Sequence, residues 1–122
     1  MKRKILVVDD AATVRSYHRS ILEKQGYEVE EAVNGMEALE KSLKTHYDLY
    51  IVDINMPKMD GYTFVEELRK MDIFQPPVIM VSTESELKDK RYAYRAGASA
   101  YLIKPVSPES LETYVKILLG EV

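Results

Sequence analysis

A doubly wound α/β fold with a five-stranded parallel sheet and five helices is what this sequence predicts, and three observations predict it. Strand and helix signals alternate five times along 122 residues. Four of the five strand candidates are nearly continuous apolar runs, and no repeat, linker or low-complexity stretch interrupts the order. Strict β-α alternation implies parallel strands joined by right-handed crossovers, with helices on both sides of the sheet. Strands covered on both faces read as unbroken apolar runs, because neither face meets water.

The strand candidates are Lys4 to Asp9, Tyr27 to Glu31, Leu49 to Asp53, Val78 to Ser82 and Ser99 to Ile103, and only the second is not continuously apolar. Helical patterns lie between and after them. The first carries Val14, Tyr17, Ile21 and Leu22 on one face and stops at Gly26; the second carries Met36, Leu39 and Leu43 after an Asn34-Gly35 start. The third carries Phe64, Val65 and Leu68. The fourth, from about Glu86 to Ala96, has little apolar content beyond Leu87, Tyr92, Ala93 and Tyr94, so it is expected to be the least firmly packed helix and the easiest to shift. The last carries Leu111, Val115 and Leu118, with Pro108 in its first turn.

Bulk properties narrow the function. The length suits a single domain over residues 1–122, and 46% hydrophobic with 30% charged residues is ordinary globular composition. A net charge of −3 argues against a general nucleic-acid binder, and Lys2-Arg3-Lys4 reads as a solvated lead-in to a strand. There is no Cys, so no disulfide framework, zinc site or thiol chemistry is expected. No segment approaches a signal peptide core or a membrane span, so a cytoplasmic protein with no membrane partner is expected.

In doubly wound sheets, ligands bind beyond the carboxyl ends of the strands. Those ends carry Asp9 and Asp10, Asp53, Ser82 with Thr83, and Lys104. Each alone has a bland explanation. Asp9 or Asp10 would cap a helix, Asp53 would open the turn Asn55-Met56-Pro57, Ser82 would be a turn hydroxyl, and Lys104 would be a solvated strand-exit lysine. Together they need another account, since three carboxylates in one crevice repel and resist ionisation unless a cation sits among them. Mg²⁺ fits, because it prefers oxygen ligands and is typically held by one or two carboxylates plus a phosphate. Phosphoryl chemistry then assigns roles. Asp53, standing alone on a central strand, is the candidate nucleophile, and the Asp9-Asp10 doublet suits metal coordination. Lys104 supplies a point charge and Ser82 a hydrogen bond to the phosphoryl group.

The segments VVDD at 7–10, DINMPKMDG at 53–61, MVSTE at 80–84 and AYLIKP at 100–105 together resemble the receiver domains of two-component response regulators, particularly the stand-alone CheY-like chemotaxis type. The resemblance covers essentially the whole chain. It implies a flavodoxin-like strand order 2-1-3-4-5, a phosphoacceptor at Asp53, and Mg²⁺ held by Asp9, Asp10, Asp53 and the backbone carbonyl of Asn55. It also implies a switch formed by Ser82 and Tyr101, Lys104 as the phosphoryl's charge partner, and a cis bond before Pro105. On this pattern a sensor histidine kinase donates the phosphoryl group. Ser82 moves toward it, Tyr101 turns inward, and the face made by the fourth helix, last strand and last helix changes its affinity for a downstream effector or phosphotransfer domain. Such a chain is a switch that catalyses only its own phosphorylation and dephosphorylation. It is expected to be monomeric, with dimerisation on phosphorylation as an alternative.

Two residues depart from the family pattern. Thr83 replaces the usual Ala or Gly after the switch hydroxyl, and Val106 replaces the more common Phe. With no effector domain expected after Val122, a phosphorelay intermediate or phosphate sink is an alternative output. A haloacid-dehalogenase-like phosphatase is disfavoured because Asn55 stands where that class has an acid. A phosphorylation-independent interaction module is a third class, weakened by retention of every site residue.

Overall fold

The structure, a computed structural model, describes residues 2–121. Ten elements alternate without exception: β1 (Lys4–Val8), α1 (Ala12–Lys24), β2 (Glu28–Ala32), α2 (Gly35–Lys44), β3 (Leu49–Asp53), α3 (Gly61–Lys70), β4 (Val78–Ser82), α4 (Leu87–Ala96), β5 (Ala100–Ile103) and α5 (Pro108–Leu119). All four strand pairings are parallel and the order is β2-β1-β3-β4-β5. The expected fold and strand order are therefore found, with strand bounds shifted by a residue at β1, β2 and β5.

The alternation of a strand sends neighbouring side chains to opposite faces, and each face has its own core. Ile5 and Val7 of β1 join Ile21 and Leu22 of α1 and Leu111, Val115 and Leu119 of α5 on one side. Leu6 and Val8 join Ala38 of α2, Phe64, Val65 and Leu68 of α3 and Ala93 of α4 on the other. All five residues of β3 and of β4 are buried, which accounts for their unbroken apolar sequence. Helix ends follow local chemistry. The Asn34 side chain accepts from Glu37 N at 2.9 Å, Asp60 from Thr63 N at 2.8 Å and Ser107 from Ser110 N at 3.1 Å, so three helices begin on side-chain caps. Gly26, beyond the end of α1, has φ +93, a conformation that suits glycine after a helix.

The face of α2 differs from expectation. Leu39 packs partly buried against the core as expected, but Met36 and Leu43 are 50% and 75% exposed, and the buried residues of the helix are Gly35, Ala38 and Ser42. The large fillers come from outside the helix. Tyr47, Tyr50 and Phe64 occupy that layer, and the Ser42 hydroxyl is satisfied by Ala38 O at 2.7 Å and the Tyr50 hydroxyl at 2.6 Å. Small helix residues are what this bulky aromatic layer leaves room for. In α1 the periodic face is likewise rotated, with Tyr17 exposed and His18 buried between Val14 and Leu22 along the helix. In α4, only Ala93 and Ala96 are buried and Leu87, Tyr92 and Tyr94 are all more than half exposed, as the thin apolar content of that segment implies.

Candidate functional site

The carboxyl edge of the sheet gathers the polar strand ends. Asp9 follows β1 directly and is held by its own backbone, whose N–H donates to Ala32 O at 3.1 Å. Its Oδ1 accepts from Ala11 N at 2.9 Å, which satisfies the amide of the residue at the N-cap of α1. Its Oδ2 accepts from Lys104 Nζ at 3.1 Å, and the same ammonium donates to Asp53 Oδ1 at 2.9 Å. Oxygens of Asp9, Asp10 and Asp53 lie within 4.8 Å of one another. Asp9 and Asp53 are buried while Asp10 is exposed, so the cluster is open to solvent on the Asp10 side.

Burial first, then the neighbouring Asp9 and Asp10 charges, holds the Asp53 carboxyl above its ordinary range, against the pull of Lys104. At Lys104, burial works to lower the pKa, but the bonds to Asp53 and Asp9 outweigh it and the ammonium is favoured. Both partners shift upward because desolvation dominates at the carboxylate and pairing dominates at the amine.

The loops that carry these groups are tightly set. Ile54 N donates to Val81 O at 3.2 Å and Gly61 N to Ile54 O at 2.8 Å, which folds the segment after Asp53 back onto the strand end. A Cβ on Gly61 would stand 2.5 Å from Asp53 O, so only glycine permits this approach. Lys104 N donates to Ser82 O at 2.8 Å, locking the β4 and β5 exits together, and the Lys104-Pro105 bond is cis. Ser82 Oγ accepts from Glu84 N at 3.0 Å, and the Tyr101 hydroxyl donates to Glu84 O at 2.7 Å. Tyr101 is 8% exposed, so its ring lies inward and its hydroxyl is bonded rather than hydrated. Asn55 is exposed on the loop after β3.

Asp9, Asp53 and Lys104 thus meet directly, an Asp10 oxygen lies within 4.8 Å of the other two carboxylates, and Ser82 and Tyr101 meet on the two backbone groups of Glu84. Sequence reasoning missed two contributors. Arg15 donates from Nη1 to Asp9 O at 2.7 Å and from Nε to Glu31 at 2.8 Å, while Arg19 holds the other Glu31 oxygen at 2.7 Å. A charged residue on a helix face carries no distinguishing signal until its partner strand is known. His18 lines a groove of about 370 Å³ beside the site, with Val14, Tyr17, Thr83, Lys104 and Val106. Among the described residues its Nδ1 is buried without a partner, and burial, against the pull of Asp9, lowers its pKa. Tyr17 reaches across this groove, its hydroxyl donating to Val106 O at 2.9 Å.

The chain belongs to the response regulator receiver domain family, whose model matches residues 5–116. It is the receiver domain of a two-component response regulator, a class of signalling switches rather than classical enzymes. Among curated relatives, it is 39% identical over 95% of its length to the transcriptional regulatory protein ResD of Bacillus subtilis, and 34% identical over 98% to SrrA of Staphylococcus aureus. It spans 48% of each of those relatives, about half their length. Among solved structures, chemotaxis protein CheY4 of Vibrio cholerae is 36% identical with a TM-score of 0.92, covering 97% of this chain and 99% of that one. A CheY-like receiver domain protein of Methanospirillum hungatei is 35% identical with a TM-score of 0.92, covering 99% and 96%. The acidic charge that argued against nucleic-acid binding describes this domain alone, and relatives named as transcriptional regulators leave that expectation unsupported for a whole protein.

The donor set fits the divalent cation that receiver domains bind at an acidic pocket. Three carboxylates offer only hard oxygen ligands, and of the two that are buried Asp53 is held against ionisation, which added positive charge would relieve. Among the described residues, no helix is long and apolar enough to cross a membrane.

Proposed function

We propose that Asp53 is the phosphoacceptor and that phosphorylation there resets the surface formed by α4, β5 and α5. The observation that carries this reading is the two-pronged Lys104 ammonium, bonded at once to Asp53 at 2.9 Å and Asp9 at 3.1 Å in a buried crevice. An Asp53 oxygen attacks the phosphorus of a phosphohistidine on a sensor kinase, a P–O bond forms as the P–N bond breaks, and the imidazole leaves. Lys104 remains as the fixed positive charge beside the new phosphoryl oxygens. Asp9, Asp10, Asp53 and the Asn55 carbonyl would hold Mg²⁺, which when bound neutralises negative charge on donor and product. Ser82 would exchange its Glu84 N–H for a phosphoryl oxygen, and Tyr101, inward and bonded to Glu84 O, reports that loop's position.

A stand-alone, chemotaxis-type module that binds a separate effector is supported by end-to-end likeness to CheY4. The curated relatives support a receiver within a transcriptional regulator equally well, so the effector and the pathway follow from the partner rather than from this domain.

The test is incubation with Mg²⁺ and acetyl phosphate, followed by intact mass. A single alkali-labile adduct of one phosphoryl group is expected, absent in Asp53→Asn and with EDTA. An adduct of unchanged yield in Asp53→Asn sinks the assignment, and continuous turnover of phosphate esters points to a phosphatase.

A further inference from the structure

The two ends of α4 are fastened unequally. At the C-terminal end, Ala93 and Ala96 are buried, and Arg69 of α3 donates from both Nε and Nη2 to Gly97 O at 3.0 and 2.8 Å. Gly97 has φ +121, and a Cβ there would stand 2.7 Å from Arg69 Cγ, so backbone and guanidinium are in close register. At the N-terminal end, Glu86 provides no side-chain cap and Leu87 is 61% exposed. Among the described residues, the aromatic contact and the side-chain hydrogen bond that reach this half from another helix both come from Tyr62. Its ring centroid lies 4.4 Å from that of Tyr92, tilted by 50°, and its hydroxyl approaches Asp89 O at 3.4 Å. Burial first, then nearby Tyr101 and Asp89, pushes the Tyr62 hydroxyl up to about 12, so it stays a neutral donor.

Tyr62 is also tied to the site. It follows Gly61, whose N–H donates to Ile54 O at 2.8 Å and where an added Cβ would stand 2.5 Å from the Asp53 carbonyl oxygen. Its position is therefore set by the strand end that carries Asp53, by a route that uses neither Ser82 nor Tyr101. A partly buried tyrosine against a half-exposed one usually does no more than cover apolar surface. Here the pair bridges the Asp53 loop and the uncapped N-terminal half of α4.

We propose that Tyr62 is a positioning residue that couples the Asp53 strand end to α4, which swings about its Arg69-held C-terminal end as the Tyr62-Tyr92 contact is made or broken. The functional half rests on Asp53 as phosphoacceptor. In the structure the Tyr62-Tyr92 contact and the inward Tyr101 occur in one arrangement of α4. By linkage, a contact that favours this arrangement also favours whatever ligand at Asp53 favours it.

Two measurements on the whole chain test this. The first is beryllofluoride affinity with Mg²⁺ by calorimetry, for the wild type and for Tyr62→Ala, Tyr62→Phe, Tyr92→Ala, Tyr94→Ala and Asp53→Asn. Losing an aromatic pair should weaken binding about three- to tenfold in Tyr62→Ala and Tyr92→Ala. Tyr62→Phe should recover most of it, and Tyr94→Ala, exposed on the same helix, should match the wild type. The second is amide hydrogen exchange, where Tyr62→Ala should speed exchange at 86–92 and leave 93–97 unchanged. Tyr62→Leu serves if the alanine variant does not fold. Wild-type affinity in Tyr62→Ala, or equal loosening along all of α4, overturns the proposal. If beryllofluoride binds Asp53→Asn as well as the wild type, the phosphoacceptor reading fails instead, and the exchange pattern still decides the hinge.

Discussion

Gly61→Ala probes the close approach on which the site depends. The added Cβ would stand 2.5 Å from Asp53 O and 2.8 Å from Ile54 Cα, both backbone atoms that cannot rotate away. Ordinary contact begins at 3.4 Å, so the first turn of α3 must retreat by roughly 0.9 Å. Forced overpacking of this kind costs about 1–3 kcal/mol. Alanine's helix propensity opposes it by at most about 1 kcal/mol, and by less in a first turn. The clash wins, leaving a net loss of about 1–2 kcal/mol and a fall of roughly 3–10 °C in Tm for a chain of this size. The retreat also stretches the 2.8 Å bond from Gly61 N to Ile54 O, so beryllofluoride affinity should fall with stability. Urea unfolding followed by circular dichroism measures the first effect. Gly35→Ala is the control, because its Cβ meets the flexible Met59 side chain at 2.8 Å and stability should stay within about 0.5 kcal/mol of the wild type. A Gly61→Ala protein as stable as the wild type would refute the reasoning.

Asp53→Asn should stabilise the protein at neutral pH without Mg²⁺. The native pKa is raised, so the unfolded chain releases this proton first, and the contribution of Asp53 to stability falls as pH climbs past the ordinary value of 3.8. Thermal melts across pH 3 to 7 in EDTA should show the variant gaining on the wild type as pH rises, and Mg²⁺ should reverse that difference by stabilising only the wild type. His18 carries the opposite dependence. Burial lowers its native pKa, so below 6.5 the unfolded chain binds the extra proton and stability drops as pH falls. His18→Leu should lose that part of the acid sensitivity, read from urea midpoints at pH 7 and pH 5. Arg69→Lys keeps the charge but not the fork on Gly97 O or the bond to Pro76 O at 2.6 Å, and should cost about 1.5–3 kcal/mol in urea unfolding. A lysine variant of wild-type stability would remove Arg69 as the anchor of α4.

Much of this protein was legible in the sequence because its signals are local. Nearly continuous apolar runs such as Leu49 to Val52 suit strands buried on both faces better than a half-exposed sheet, and their alternation with helices leaves few topologies. The same topology delivers Asp9, Asp53, Ser82 and Lys104 to one edge, so the membership of the site followed from which strand each residue ends. Tertiary structure decided what depends on distance between elements. Which face of α2 meets the sheet was set by Tyr47, Tyr50 and Phe64, rings from outside that helix that claimed the space Met36 and Leu43 were expected to fill. The partnership of Arg15 with Asp9 and Glu31, the closeness of Gly61 to Asp53, and the bridge from Tyr62 to α4 are likewise invisible to periodicity. Hydrophobic pattern records how often a residue is buried, whereas a hydrogen bond or a ring contact requires knowing what stands opposite, and that is supplied only when the chain has folded.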